Sequence, residues 1–144
     1  MNGAVHFLET QTLISGTYLM QKFNHIVDIY NNGRLQEVDE WLHDDFLFLK
    51  EYGMQNKEEY LEDCKGLFEK GFKMNNPQLV VENDDMVALN HLVVDEDGNK
   101  YRVTAVNFIK DGKSWRLSTH RTCLKNIDEE ETSTTITNFG KNLN

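Results

Sequence analysis

The alternation of apolar and polar positions divides the chain into a helical first half and a strand-rich second half. From Gly16 onward, Leu19, Phe23, Ile26, Val27 and Tyr30 recur at three- and four-residue steps and make one stripe of a helix. Asn31-Asn32-Gly33 ends that helix, with Gly33 suited to the left-handed position just past a helix C-terminus. Leu35, Val38, Trp41 and Leu42 share a face of a short second helix, which His43-Asp44-Asp45 breaks. Phe46 to Tyr52 reads as a strand and Gly53 to Asn56 as a turn, with Asn56 placed to cap the next helix. That helix runs to Lys70, buries Tyr60, Leu61, Cys64, Leu67 and Phe68, and stops at Gly71. Pro77 opens an extended segment, Leu79 to Glu82 is a strand, and Asn83-Asp84-Asp85 turns the chain back.

Met86 to Leu124 then reads as a meander of three long strands: Met86–Asp95, Lys100–Ile109 and Ser114–Leu124. Asp97-Gly98 and Asp111-Gly112 join them as two-residue turns of the type whose central residues both take positive φ. Such turns set register. Glu96 opposite Asn99 pairs Leu89 with Val106 and His91 with Thr104. Lys110 opposite Lys113 pairs Val106 with Leu117 and Thr104 with Thr119. One face then carries Val87, Phe108 and Trp115, next Leu89, Val106 and Leu117, then His91, Thr104 and Thr119, and finally Val93, Arg102 and Arg121. The other carries Ala88, Asn107 and Arg116, then Asn90, Ala105 and Ser118, then Leu92, Val103 and His120. One β-bulge would exchange these faces beyond its position. The order helix-helix-strand-helix-four strands makes this an α+β chain with a curved antiparallel sheet and helices on one face.

Composition narrows the function classes. The 144 residues suit one domain, and the net charge of −9 offers no basic stripe for nucleic acid. No apolar run approaches the ~18 residues of a membrane span, and no signal-peptide pattern opens the chain, so a cytoplasmic location and no membrane partner are expected. Cys64 and Cys123 lack metal-like spacing and read as free thiols of a reducing compartment. The five histidines form no helical ligand pair, and there is no glycine-rich phosphate loop; neither metal nor cofactor is expected. Residues 1–15 read as a loosely ordered arm. Residues 125–144, with the acidic run Asp128 to Glu131 and a Thr- and Asn-rich end, read as a mobile tail.

Three features together resemble a known family. They are the helix end Tyr30-Asn31-Asn32-Gly33 followed by the Leu35–Leu42 helix; the strand with Phe46 and Phe48 followed by the Lys57–Lys70 helix; and Phe108-Ile109-Lys110-Asp111-Gly112-Lys113, an aromatic before a hairpin turn. Residues 16–124 resemble the nuclear transport factor 2-like superfamily, in its SnoaL-like branch. The resemblance implies a cystatin-like cone, a sheet wrapped around helices that often encloses a small, mostly apolar pocket. It also implies homodimers through the outer sheet face. Members include isomerases, dehydratases, cyclases and modules with no enzymatic role. Under this resemblance the face of Trp115, Phe108 and Leu117 looks inward, and the face of Asn90, Ala105 and Ser118 looks outward. Carbanion-forming members use carboxylates inside the cone, whereas this layout leaves the centre of the last three strands without one.

His91 is therefore the candidate catalytic acid or base, since a histidine can move a proton at neutral pH. Arg102 and Arg121 are candidate anion clamps, Thr104 and Thr119 polar neighbours, and Phe108 with Trp115 the walls of a ligand pocket. His120 competes with His91 if a bulge turns it inward, and Tyr30 can turn its hydroxyl toward the pocket. The expected function is a pocket for a small, partly apolar ligand with room for an anionic group, to which lyase or isomerase chemistry could be added. The alternative is a non-enzymatic homodimeric interaction module, joined through Ala88, Asn90, Ala105, Asn107, Ser118 and His120. Whether the chain is an enzyme is left open by its residues.

Overall fold

The structure, a computed structural model, describes residues 21–124. The expected N-terminal arm, the expected start of the first helix at Gly16 and the expected tail lie outside the described residues. Within them the order is α1 (residues 21–31), α2 (Leu35–Trp41), β1 (Leu42–Lys50), β2 (Gly53–Asn56), α3 (Lys57–Glu69), β3 (Asn75–Glu82), β4 (Met86–Val94), β5 (Lys100–Lys110) and β6 (Lys113–Cys123). The six strands form one open sheet in the order β2-β1-β6-β5-β4-β3. All neighbours are antiparallel except β1 and β6, which run parallel. The expected α+β architecture, a sheet wrapped around helices, is the one observed.

Local chemistry explains most element ends. The Glu82 carboxylate at the end of β3 accepts the backbone N–H groups of Lys22 and Phe23 of α1 at 3.2 and 3.0 Å. At the other end of α1, Gly33 takes φ +59° and the Arg34 N–H reaches back to the Ile29 carbonyl at 2.9 Å. Asn56 caps α3 as expected, and Glu59 returns a bond to the Asn56 N–H, completing a reciprocal box; such caps are worth about 1 kcal/mol. Gly71, at φ +80°, stops α3, while the Phe72 N–H bonds the Leu67 carbonyl.

Two elements differ from the sequence reading. β1 starts at Leu42, so His43-Asp44-Asp45 begins a strand. Tertiary partners hold it extended: Leu42 pairs with Ser114, His43 Nε2 lies 3.0 Å from Asp111 Oδ2, and Arg116 donates to the Asp45 carbonyl at 2.6 Å. Gly53 to Asn56 is a short edge strand on β1, with Leu47 opposite Asn56, so the connection is only Glu51-Tyr52. The order is thus helix-helix-strand-strand-helix-four strands.

The core sits between the helices and the concave face of the sheet. α1 contributes Phe23, Ile26, Ile29 and Tyr30, α2 Val38 and Trp41, α3 Tyr60 and Cys64, and the sheet Phe46, Val87, Leu89, Ala105 and Leu117. Ile29 is wholly buried and Val27 only partly, which turns the α1 stripe slightly from the one read in the sequence.

Register departs from expectation at both hairpins. Leu89 faces Ala105 and His91 faces Val103, one residue from the expected pairing. In β5–β6, Lys110 does face Lys113, but a bulge follows, and beyond it Asn107 faces Leu117 and Ala105 faces Thr119. The first shift turns β5 over, and the second restores β6. The inner face therefore carries Val87, Leu89, His91 and Val93 of β4, Val103, Ala105 and Asn107 of β5, and Leu117, Thr119 and Arg121 of β6.

Candidate functional site

Between α1, α3 and the inner sheet face lies a cavity of about 780 Å³ that opens to solvent. Its apolar wall comes from Ile26, Phe48, Phe72, Met74, Leu89 and Leu117. Among the polar groups of this wall, His91, the Tyr30–Tyr60 pair and Arg121 stand out.

His91 is 5% exposed and its Nδ1 is buried without a hydrogen-bond partner. The Phe72 ring stands edge-on to the imidazole, with centroids 6.1 Å apart. Burial lowers the His91 pKa to about 4, and the Leu92 backbone pulls less strongly the other way. At neutral pH the ring is therefore uncharged, with one donor and one acceptor nitrogen.

Tyr30 of α1 and Tyr60 of α3 meet hydroxyl to hydroxyl at 2.8 Å, both buried. Burial raises both phenols above their usual range, so both stay protonated. One hydroxyl donates to the other, and the Cys64 sulfur is a further hydrogen-bond partner of Tyr60. Cys64, one helical turn beyond Tyr60, lies against them, and burial pushes its thiol up to about 11. It is thus a neutral thiol that packs, not a nucleophile. Cys64 and Cys123 are both free.

Arg121 lies in the same cross-strand row as His91, with Val103 between them. Its guanidinium stacks on Tyr101, with Cζ 4.2 Å from the ring centroid. The Tyr101 hydroxyl donates to Asp95 Oδ2 at 3.3 Å, which steadies that ring.

Of the residues singled out from the sequence, His91, Thr119 and Arg121 line the cavity. Arg102, Thr104 and Phe108 do not, because the one-residue shift in the first hairpin turns their strand over. They lie on the outer face, where Arg102 is buried and Phe108 is 42% exposed. Trp115 sits at the bulge, outside the cavity wall, with the Arg116 guanidinium 3.9 Å and the Lys110 ammonium 5.3 Å from its ring centroid. His120 is on the outer face and exposed, opposite Thr104. Of the expected dimer patch, Ala88, Asn90, Ser118 and His120 share the outer face, while Ala105 and Asn107 belong to the cavity wall.

Tyr60 and Phe72 are wall residues that the sequence reading did not assign to a site, and Asn107 is one that it placed on the outer face. Tyr60 stood on the apolar stripe of α3, and only its hydroxyl distinguished it from core. Asn107 is held by Ser114, whose hydroxyl donates to Asn107 Oδ1 at 2.8 Å in a buried contact. Among the described residues no group of three or more His, Cys, Asp or Glu is placed to hold a metal ion. No helix among them is long and apolar enough to cross a membrane.

No protein-family model and no curated protein matches the chain. Solved structures do. IdmH, a candidate polyketide cyclase from Streptomyces antibioticus, aligns with TM-score 0.59 at 12% identity, over 80% of this chain and 97% of that one. A candidate polyketide cyclase from Sinorhizobium meliloti aligns with TM-score 0.58 at 19% identity, over 68% and 92%. An NTF2-like protein from Anabaena variabilis aligns with TM-score 0.55 at 20% identity, over 70% and 84%. At such identities the likeness is one of fold. This chain has the fold of the nuclear transport factor 2-like superfamily.

Proposed function

We propose that the cavity binds one small, mostly apolar molecule that carries a carbonyl or hydroxyl oxygen. The observation behind this reading is the uncharged His91 imidazole set in the wall of an open, mostly apolar cavity. The volume of about 780 Å³ lies within the range of small-molecule sites. Two structures of the same fold are named as candidate polyketide cyclases.

The groups present suit proton movement beside a carbonyl. Neutral His91 can take a proton from carbon, and a hydroxyl of the Tyr30–Tyr60 pair can turn to bond the carbonyl oxygen as charge develops. Isomerase or lyase chemistry is thus the activity this site would support.

The test combines a thermal-shift screen of aromatic ketones and phenols with NMR detection of solvent deuterium entering next to the carbonyl. Compounds that raise the melting temperature of the wild type should leave His91→Ala unmoved, and exchange should vanish with the same substitution. If no compound class shifts the wild type, the cavity is unused space. Shifts without His91-dependent exchange leave a binding module. As a module the chain would self-associate through the outer face, using Ser118, His120 and the exposed Phe108 rather than Ala105, and light scattering would read a dimer.

A further inference from the structure

We infer that Arg121 reads an anionic group at the mouth of the cavity, so that the ligand class is an apolar molecule with a single carboxylate or sulfonate. The inference rests on the cavity reading above and adds the ligand's charge to it.

The cations of the cavity wall can be compared one by one. Lys50 pairs with Asp63 at 3.8 Å, and Lys70 with Glu96 at 3.6 Å. Lys73 donates to the Asn31 carbonyl. Arg121 makes no ion pair with a described residue. Its acidic neighbours are engaged elsewhere. The Asp95 carboxylate accepts the Asp97 and Asn99 N–H groups, both at 2.9 Å, together with the Tyr101 hydroxyl. Asp63 is held by Lys50 and by Gln55 Nε2 at 2.7 Å. Asp97 stands exposed at the tip of the hairpin.

The Arg121 guanidinium is also held in one orientation. It lies 4.2 Å from the Tyr101 centroid, and Tyr101 is tied to Asp95 behind it. A guanidinium stacked by its face keeps its edge N–H groups in a plane, the arrangement that binds carboxylate or sulfonate bidentately. β6 is two strand spacings from β4, so Arg121 stands roughly 10 Å across the sheet from His91. Two or three fused rings span that gap. A flat body would lie against Leu89, Ala105 and Thr119, with its oxygen at His91 and its anion at Arg121.

Two naphthalene probes of nearly equal shape test this: 1-anilinonaphthalene-8-sulfonate and its uncharged parent N-phenyl-1-naphthylamine. Fluorescence titration of the full chain should give one site, with the sulfonate bound about tenfold more tightly than the amine. Arg121→Gln should erase that preference, and Arg121→Lys should keep part of it, since a point charge lacks the fork. His91→Gln should weaken both probes together. Equal affinity of the two probes for the wild type, or a preference that survives Arg121→Gln, overturns the assignment of Arg121 while the cavity reading stands. Failure of both probes to bind overturns the cavity reading and this inference with it.

Discussion

The β4–β5 and β5–β6 hairpins both contain Asp-Gly, yet they close differently. In the second, Asp111 and Gly112 both take positive φ, +54° and +73°, and Lys110 faces Lys113 across a two-residue turn. In the first only Gly98 does, at +82°, and the loop holds three residues, with the Asp95 N–H bonded to the Asn99 carbonyl at 2.9 Å. The Asp95 side chain accounts for the difference. It accepts the Asp97 and Asn99 amides and so stabilises a turn followed by a left-handed glycine, the three-residue hairpin with its own bulge. The equivalent position before the second turn is Lys110, which has no acceptor to offer. The residue that closes the loop, Asp95 in one hairpin and Lys110 in the other, decides its length rather than the dipeptide. Because side chains alternate, one residue of loop length exchanges all the contacts of a strand.

The largest expected effect lies on β4, whose inner face places His91 in the cavity. Burial takes its pKa from 6.5 to about 4. In that interval the unfolded chain binds a proton that the folded chain refuses, so stability is full above pH ~6.5 and falls as the pH drops toward ~4, by about 3 kcal/mol in all. Urea unfolding at a series of pH values should show this loss in the wild type and not in His91→Gln. An equal slope in both would place His91 in water.

A smaller effect isolates the bulge that distinguishes the second hairpin. Ser114 is fully buried and its hydroxyl holds Asn107 Oδ1 at 2.8 Å. Ser114→Ala removes the hydroxyl, strands the amide oxygen and should cost about 2 kcal/mol, read as a lower urea midpoint at unchanged slope. Adding Asn107→Leu should recover much of the loss, since both partners are then apolar.

The smallest effect converts the first hairpin into the second. Deleting Glu96 leaves Asp97-Gly98 as a two-residue loop while Asp95 still faces Asn99, so every pair in β4–β5 is kept. The variant should unfold within roughly 0.5 kcal/mol of the wild type, as surface changes usually do. A loss of several kcal/mol would show that the three-residue loop does more than set parity.

The site was legible in proportion to how far its residues lay from the altered strand. His91, Thr119 and Arg121 stand on β4 and β6, where the two shifts leave the expected facing intact. Arg102, Thr104 and Phe108 stand on β5 and were all reversed together. Trp115 occupies the bulge, where alternation itself fails. The Tyr30–Tyr60 pair joins two helices 30 positions apart, and no local spacing brings those hydroxyls to 2.8 Å.

Sequence by itself determined the helices, their caps, the strands of the meander and the α+β class, because these depend on periodicity, capping groups and glycines acting within a few residues. Only tertiary structure decided that β1 begins at Leu42, that Gly53 to Asn56 joins the sheet edge, and which side of β5 looks into the cone. Those outcomes rest on bonds between distant residues, such as Ser114 with Asn107 and His43 with Asp111, and on one carboxylate choosing between two turn lengths. The free energies that separate such alternatives are about 1 kcal/mol, too small to be read from a pattern of polar and apolar positions.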